Sequence, residues 1–239
     1  MYSRKYLQLS TVRNIFLSFA KKGEKLTDLI FPPFCLSCKK EGEYFCEKCR
    51  ERLPEQNTME IRGVVSLWRY DNPVVRESLV RLKYRGKKKL AEALSSSLYD
   101  KILLTLSEDS QFEDPLGKTK EKYIIIPIPM HKTRKKLRGY NQAELLAKEL
   151  SKKDETLFVF DSEILKKIKP TESQVKSKNR EKRLINIKGS FAVIEKEKIL
   201  GKKVILVDDV VTTGTTLKEA SKMLRKAGAK RVFSITVAH

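Results

Sequence analysis

The sequence predicts an α/β protein, built on a parallel β-sheet flanked by helices, with a small cysteine-bearing domain ahead of the sheet. Two observations carry this prediction. The second half of the 239-residue chain alternates aliphatic runs with segments of helical periodicity, which is typical of parallel sheets covered on both faces. All four cysteines lie within residues 31–55. We therefore expect a basic extension at 1–30, the cysteine-bearing domain at 31–55 and the α/β domain at 56–239.

The first strand-and-helix unit of the α/β domain begins with the aliphatic run YIIIPIP at 123–129, which predicts a buried strand. Residues 141–150 then predict a helix, because apolar side chains recur there at helical spacing. The apolar face of this helix consists of Ala143, Leu146, Ala147 and Leu150.

The second unit follows the order strand, loop, helix, strand. The run VILV at 204–207 predicts a strand that ends at Val207, and RVFSITV at 231–237 predicts the next strand. Gly228 marks the end of the intervening helix. An apolar stripe predicts that helix, and its members are Leu217, Ala220, Leu224 and Ala227. In parallel sheets of this kind, ligands bind at the carboxyl ends of the strands.

The composition is that of a globular protein with an excess of basic residues. Hydrophobic residues make up 40% of the chain, and 51 Lys and Arg against 30 Asp and Glu give a formal net charge of +21. Such a charge attracts phosphate-bearing partners, from sugar phosphates to DNA, although a lysine-rich solvated surface produces the same value. The apolar runs are far shorter than the roughly 20 residues of a membrane span. We expect no membrane span and a cytoplasmic location.

The cysteines form the pattern C-x2-C-x7-C-x2-C, at Cys35, Cys38, Cys46 and Cys49. Two such knuckles supply four thiolates that can surround one Zn²⁺ tetrahedrally. A complete set of four protein ligands leaves no open position, so the pattern predicts a structural zinc ribbon and not a catalytic zinc. Two alternatives remain: a pair of disulfides, which requires an oxidising compartment, and a redox motif, for which a single CxxC is sufficient.

The stretch VILVDDVVTTGTTL at 204–217 places two adjacent carboxylates, Asp208 and Asp209, after an aliphatic strand. Neighbouring carboxylates can accept hydrogen bonds from the vicinal hydroxyls of a ribose. The threonine-rich loop that follows leads into a helix N-terminus, where unpaired N–H groups favour a phosphate. A Walker B strand of an ATPase has a similar pattern, but it requires a P-loop, and the nearest candidate has Phe112 where the first glycine should be.

This stretch resembles the phosphoribosyl pyrophosphate (PRPP) loop of the type I phosphoribosyltransferases. The order of motifs along the chain is similar to that of the ComF/GntX-like family within that superfamily. These motifs are the double CxxC, LKYRG at 82–86, the stretch 127–147, the stretch 171–191 and the acidic loop at 204–217. The resemblance implies a type I phosphoribosyltransferase-like sheet and a zinc ribbon, in a protein associated with DNA uptake during natural competence.

The resemblance also implies roles for individual residues around PRPP and Mg²⁺. Asp208 and Asp209 would hold the ribose diol, and with Arg134 and Arg138 they are the candidate catalytic residues. The 5-phosphate would lie against Val210, Val211, Thr212, Thr213, Gly214, Thr215 and Thr216. The pyrophosphate side would comprise Arg134, Arg138, Gly139, Asn141 and Gln142, and a closing hood would carry Gln174, Arg180, Arg183 and Asn186.

Two functional hypotheses follow. The first is a phosphoribosyltransferase that displaces pyrophosphate from the ribose C1. The second is a non-catalytic accessory factor of DNA uptake that uses PRPP as a regulatory ligand and contacts single-stranded DNA or competence proteins. The histidines support no hydrolase triad, since His131 lies in the pyrophosphate-side stretch and His239 is expected to be frayed.

Overall fold

A computed structural model describes residues 32–55, 61, 63–84, 88–108, 121–169, 187 and 189–239. The basic extension at 1–30 and the hood residues Gln174, Arg180, Arg183 and Asn186 lie outside the described residues. The helices are α1 (Glu47–Glu51), α2 (Pro73–Tyr84), α3 (Lys88–Glu108), α4 (Lys132–Arg138), α5 (Gln142–Ser151) and α6 (Thr215–Lys226). The strands are β1 (Val64–Trp68), β2 (Tyr123–Pro127), β3 (Phe158–Phe160), β4 (Leu165–Lys167), β5 (Phe191–Val193), β6 (Lys203–Val210) and β7 (Arg231–Ala238).

Five of these strands form one parallel sheet in the order β1-β7-β6-β2-β3, which confirms the predicted fold class. Strand β6 occupies the centre and pairs with β7 on one side and β2 on the other. Because β6 is the central strand, the acidic pair near its carboxyl end lies in the middle of the sheet. The candidate ligand residues therefore begin on the central strand, which is paired on both sides.

Strand β6 is longer than the sequence predicted. We expected it to end at Val207, but the pairing continues through Asp208, opposite Thr236, to Val210, opposite Ala238. The reason is that β7 runs to Ala238 and offers backbone partners along this whole length. The two aspartates consequently lie on the strand itself and not in the loop after it.

Strands β1, β3, β4 and β5 were not predicted from the sequence. Strand β1 has five residues, and β3 is only three residues long. Strands β4 and β5 form a separate antiparallel pair, in which Lys167 lies opposite Phe191. Short strands produce too little periodicity to be recognised from a single sequence.

The core covers both faces of the sheet, as expected for its continuous apolar strands. On one face, Ile125 and Ile205 pack with the buried sides of α2, α3 and α5. On the other face, Ile126 and Leu206 pack against α6 and the β4–β5 pair. Among the described residues, no helix has the length and apolarity needed to cross a membrane.

Candidate metal centre and ligand site

The four cysteines converge on one point. Their Sγ atoms all lie within 4.8 Å of one another, and the Sγ atoms of Cys38 and Cys46 are 3.6 Å apart. A tetrahedral zinc with Zn–S bonds of about 2.3 Å would hold its sulfurs about 3.8 Å apart. Cys35, Cys46 and Cys49 are buried and Cys38 is exposed. The four cysteines are therefore placed to bind a metal ion.

Backbone hydrogen bonds shape both knuckles around the sulfurs. In the first knuckle, the N–H of Lys39 donates to the carbonyl of Cys35, and Lys39 adopts a left-handed conformation. In the second, Cys46 caps helix α1 and its carbonyl accepts from the N–H of Cys49. Burial opposes ionisation of Cys35, but backbone hydrogen bonds outweigh it and lower the pKa of this thiol to about 6. The thiolate is the form that binds metals.

The cysteine-bearing domain is attached to the sheet through an aromatic contact. Phe45, between the knuckles, is fully buried, and its ring centroid lies 5.8 Å from that of Trp68 at the end of β1. Arg50 Nη1 donates to the Phe45 carbonyl at 2.6 Å, and Glu55 forms an isolated antiparallel bridge with Trp68. The folding of the metal centre and the packing of the sheet edge are thus linked through one buried phenylalanine.

The acidic pair lies at the carboxyl end of the central strand. Asp208 Oδ1 accepts from the N–H of Asp209 at 2.9 Å, and Asp209 Oδ1 accepts from the N–H of Val210 at 2.9 Å. Asp209 is buried and Asp208 is half-buried. Burial, followed by the charge of Asp209, raises the pKa of Asp208 well above its usual range. Two adjacent carboxylates in one buried site resist full ionisation.

A lysine from the distant helix α2 pairs with this acidic site. Lys83 Nζ lies 3.0 Å from Asp209 Oδ2, and both side chains are largely buried. Burial opposes the charged ammonium, but Asp209, and then Asp208, outweigh that effect and raise the pKa of Lys83. The motif LKYRG at 82–86 was identified from the sequence, but no role was predicted for Lys83. Its presence as the second residue of that motif was the available signal.

Two further cations extend the site from separate elements: Lys167 lies near Asp208, and Arg134 lies near Lys167. Burial lowers the pKa of Lys167, at the end of β4, and the nearby Arg134 guanidinium lowers it further, while Asp208 opposes the shift. Lys167 Nζ also lies 5.6 Å from the centroid of the Phe191 ring. Arg134 was predicted as a site residue and Lys167 was missed. The described part of the site is therefore rich in positive charge.

The threonine loop follows directly from strand β6. The N–H of Val211 donates to the carbonyl of Ala238, which extends the sheet by one bond, and the hydroxyls of Thr213 and Thr215 lie 2.9 Å apart. Gly214 is the N-cap of α6 and has no side chain to occupy the first N–H groups of that helix. A helix N-terminus of this kind presents N–H donors and a positive dipole end to an anion. Thr212 lies within the loop, whereas Val210 ends β6 and Thr216 lies in the first turn of α6.

Gly214 is required in this loop for two separate reasons. Its φ of +69° lies in the left-handed region, and a Cβ there would approach Ile61 Cγ2 to 2.7 Å. A contact that short forces Ile61 to move. The neighbour that requires a glycine at this position is therefore a side chain of the same protein.

His239 was expected to be frayed, and this expectation is wrong. Its N–H donates to the carbonyl of Trp68, and its own carbonyl accepts from the N–H of Tyr70. Its Nε2 lies 3.1 Å from the carbonyl of Thr212 and, facing an acceptor, serves as the donor. His239 continues the pairing between β1 and β7, which a sequence without knowledge of β1 could not indicate. The residue connects the sheet edge to the threonine loop.

The pyrophosphate-side stretch forms helix α4 and a tight turn. Gly139 ends α4 in a left-handed conformation, with φ of +82°. Asn141 caps α5 by accepting from the N–H of Ala143, and its amide donates to the carbonyl of Ile128. Arg138 Nη1 donates to Gln142 Oε1 at 2.6 Å. Asn141 and Gln142 are thus bound to the protein framework, while α4 carries the basic side chains of the stretch.

Comparison with known proteins places these features in a family. A model described as "Phosphoribosyl transferase domain" matches residues 137–239. The competence protein F of Haemophilus influenzae is 30% identical over 201 residues, covering 84% of this chain and 82% of that protein. The chain belongs to the competence protein F family. A relative in Shigella flexneri, named DNA utilization protein YhgH, is 28% identical over 208 residues and matches 86% of this chain and 82% of its own length.

Among solved structures, a hypoxanthine phosphoribosyl transferase of Trypanosoma cruzi superposes with a TM-score of 0.36 and 12% identity, over 61% of this chain and 64% of that one. The phosphoribosyl transferase match in this competence protein F family member begins at residue 137. It includes the acidic pair and the threonine loop but excludes the cysteines, Lys83 and Arg134. Part of the site therefore comes from outside the matched domain.

Proposed function

We propose that this competence protein F family member binds PRPP at the carboxyl edge of its sheet. The proposal rests on the continuous segment 208–216, which begins with two carboxylates and continues with four threonine hydroxyls and a helix N-terminus. Lys83, Arg134 and Lys167 surround its acidic end. A ligand with a diol, a phosphate and a second polyanionic group matches this order of donors and acceptors.

The ligand would span the segment from its acidic end to the helix. Asp208 and Asp209 would accept hydrogen bonds from the ribose hydroxyls, and Val211 to Thr216 would enclose the 5-phosphate with N–H and hydroxyl donors. Arg134 and Lys167 would face the pyrophosphate. Gly139 and Asn141 would act by shaping the turn after α4, because the Asn141 amide already serves the backbone. The hood residues Gln174, Arg180 and Arg183 are proposed as the cover of the bound ligand.

The reaction that such a site supports is displacement of pyrophosphate from C1 of the ribose. The bond from C1 to the pyrophosphate oxygen breaks, the ribose gains oxocarbenium character, and an acceptor forms the new bond at C1. The basic side chains would stabilise charge that develops on the leaving pyrophosphate, and the two loops would fix the ribose. Mg²⁺, when bound with PRPP, would neutralise pyrophosphate oxygens, as a hard cation prefers.

The metal at the cysteine cluster is proposed to be zinc in a structural role. Four sulfur ligands suit Zn²⁺ and leave no position for a substrate. The small domain contributes few buried side chains of its own, and a bound metal supplies folding free energy to such domains. Its position beside β1 would support the sheet edge and not the chemistry at β6.

A role in DNA uptake is proposed on the basis of the family. The relatives named competence protein F and DNA utilization protein suggest a cytoplasmic step in handling incoming DNA, and the net charge of +21 suits a polyanionic partner. Single-stranded DNA or other competence proteins are the proposed partners. The alternative within this role is that PRPP acts as a regulatory ligand and no transfer occurs.

The binding proposal is tested by calorimetry with PRPP and Mg²⁺. The double variant Asp208→Asn and Asp209→Asn preserves side-chain volume but removes both carboxyl groups, so affinity should fall by about 100-fold or more. Asp154→Asn is the matched control, since that carboxylate also accepts backbone N–H bonds but lies outside the site. The absence of PRPP binding by the unaltered protein, or unchanged binding by the double variant, would overturn the proposal.

Two assays separate the catalytic and regulatory hypotheses. Pyrophosphate release in the presence of a panel of bases and amines should exceed the background hydrolysis of PRPP if the protein is a transferase. PRPP binding without release would favour the regulatory alternative. A gel shift with single-stranded and double-stranded DNA across salt concentrations tests the DNA partner, and failure to bind at low salt would remove it.

A further inference from the structure

Lys83 is the site residue that neither the phosphoribosyl transferase match nor the family motifs assign to a function. It lies near the end of α2, outside the matched residues 137–239, yet its ammonium is 3.0 Å from the buried Asp209 carboxylate. A lysine buried this deeply loses hydration and rotamer freedom. Its retention beside the acidic pair is therefore more informative than that of a surface lysine.

The last turn of α2 is tied to the site by its neighbours on both sides of Lys83. The hydroxyl of Tyr140 donates to the carbonyl of Leu82, and the Arg138 guanidinium lies 5.2 Å from the centroid of the Tyr84 ring. These contacts connect α2 to the turn that follows α4, while Lys83 connects it to β6. The ammonium is consequently held in a fixed position between the two ligand-side segments.

The charge of Lys83 directly balances the Asp209 carboxylate, with which it makes an ion pair. Three other charged or titratable groups lie near the site. Tyr70, after β1, acts on Lys83; Lys167, on β4, interacts with Asp208; and Arg134, on α4, acts on Lys167.

We propose that Lys83 is a positioning residue of the ligand site, which keeps Asp209 a charged acceptor for the ribose diol. Its ammonium supplies at the acidic pair the positive charge that a bridging divalent cation would otherwise have to bring. This inference rests on the proposed function of the acidic pair as a diol site.

The proposal predicts that a ligand lacking pyrophosphate binds without a divalent cation. Ribose 5-phosphate contains the diol and the 5-phosphate only, so its affinity should change less than about threefold between metal-free buffer and buffer with Mg²⁺. The buffer is freed of metal with a chelating resin, and no soluble chelator is added, so that metal held by the cysteines is not removed. Calorimetry measures both affinities on the full chain.

Lys83→Met should lower the metal-free affinity for ribose 5-phosphate by about tenfold or more, the scale of one lost charge-assisted interaction. Added Mg²⁺ should recover part of this loss. Lys83→Arg keeps the charge and should stay within about threefold of the unaltered protein. Lys101→Met is the matched control, because Lys101 pairs with Glu55 at 2.6 Å and is 19% exposed, compared with 23% for Lys83. It should leave binding unchanged.

A double-mutant cycle keeps the test valid if Lys83→Met folds poorly. Lys83→Met alone leaves Asp209 buried without its partner, whereas Lys83→Met with Asp209→Asn removes both charges. The midpoint of thermal unfolding should therefore fall less in the double variant than the sum of the single changes. In ribose 5-phosphate binding, Lys83→Met should have little further effect once Asp209 is Asn.

The outcomes distinguish this inference from the proposed function. If the unaltered protein binds neither PRPP nor ribose 5-phosphate, the proposed function fails, and with it the inference. If it binds PRPP but Lys83→Met binds ribose 5-phosphate within twofold of the unaltered protein in metal-free buffer, the proposed function stands and the role of Lys83 is overturned. Additive effects of Lys83→Met and Asp209→Asn on binding would also overturn it.

Discussion

The cysteine cluster and the acidic ligand site bring their polar side chains together in different ways. The four sulfurs come from residues 35 to 49 and meet within 4.8 Å through two local turns. The acidic site takes its groups from α2, α4, β4 and β6, which tertiary packing alone brings together. The first centre offers four sulfur ligands that can surround one ion, whereas the second is an arrangement of side chains from separate elements at a sheet edge.

Both centres contain groups whose pKa is raised by burial. At the cysteine cluster, backbone hydrogen bonds outweigh burial and lower the pKa of Cys35 to about 6, whereas burial raises the pKa of Cys46 to about 12. At the acidic site, burial and the neighbouring carboxylate raise the pKa of Asp208, so its charged form is disfavoured in the folded protein. The ligand site thus holds a charge that destabilises the fold, as pre-organised sites often do. The following predictions test this contrast, in order of decreasing effect.

The largest effect is expected from Cys46→Ser. This change removes one of four ligands that lie within 4.8 Å of one another, so the variant should lose its zinc and its small domain should unfold, since metal binding supplies the folding free energy of such domains. Metal analysis should find about one zinc in the unaltered chain and much less in the variant. Full zinc content in Cys46→Ser, or zinc-free protein with a folded cysteine-bearing domain, would contradict the closed-centre account.

A second prediction concerns the link between the two regions. Phe45→Ala removes a fully buried ring that stacks beside Trp68, and should lower the free energy of unfolding by about 3 kcal/mol. The PRPP affinity of the fraction that stays folded should be unchanged, because the ring contacts the sheet edge and not the loops. Chemical denaturation and calorimetry measure the two quantities. A large loss of PRPP affinity in the folded protein would show that the cysteine-bearing domain affects the ligand site, which would contradict the separation of the two regions.

Gly214→Ala should act on the ligand site itself. The added Cβ combines a left-handed φ of +69° with a 2.7 Å approach to Ile61, so we expect a loss of about 2 kcal/mol in stability and at least about tenfold weaker PRPP binding. Gly201→Ala is the control, since its φ is +70° but its Cβ would have no neighbour within 4 Å, and it lies outside the proposed ligand site. Equal effects of the two substitutions would show that backbone conformation, and not the close packing of the threonine loop, limits this position.

The smallest effect has the opposite sign. Because the pKa of Asp208 is raised in the folded state, the folded protein holds more protons than the unfolded chain as pH rises from the unfolded to the folded pKa. Stability falls across that window. Asp208→Asn should therefore give a small gain in stability at pH 7.

Thermal unfolding compares Asp208→Asn with the unaltered protein from pH 7 down to pH 5, where the gain should shrink. Asp209→Asn provides the contrast, since it removes the partner of the buried Lys83 ammonium and should be destabilising at pH 7. A stability gain that grows as the pH falls would reverse the assigned direction.

The sequence predicts features that depend on local spacing better than features that depend on contacts between distant segments. The cysteine cluster is specified by local spacing, so Cys35, Cys38, Cys46 and Cys49 were sufficient to predict where a metal binds. The acidic pair and the threonine loop were also predicted, because they occupy one continuous segment. The parallel sheet followed from the alternation of aliphatic runs and helical patterns.

The remaining features depend on contacts between distant segments. Lys83 is 126 residues before its partner Asp209, and no periodicity in the sequence relates them. Strand β6 continues past Val207 only because β7 lies beside it, and His239 is ordered because β1 accepts and donates its backbone bonds. These are consequences of strand pairing, which a single sequence does not display.

A crystal structure of the protein with PRPP and Mg²⁺ is the most direct test of whether the segment 208–216 binds opposite ends of one ligand. The account predicts that the 5-phosphate lies against the N–H groups of Val211 to Thr216, and that both ribose hydroxyls donate to Asp208 and Asp209. PRPP bound elsewhere, or bound with its pyrophosphate in the threonine loop and its diol away from the two aspartates, would contradict it.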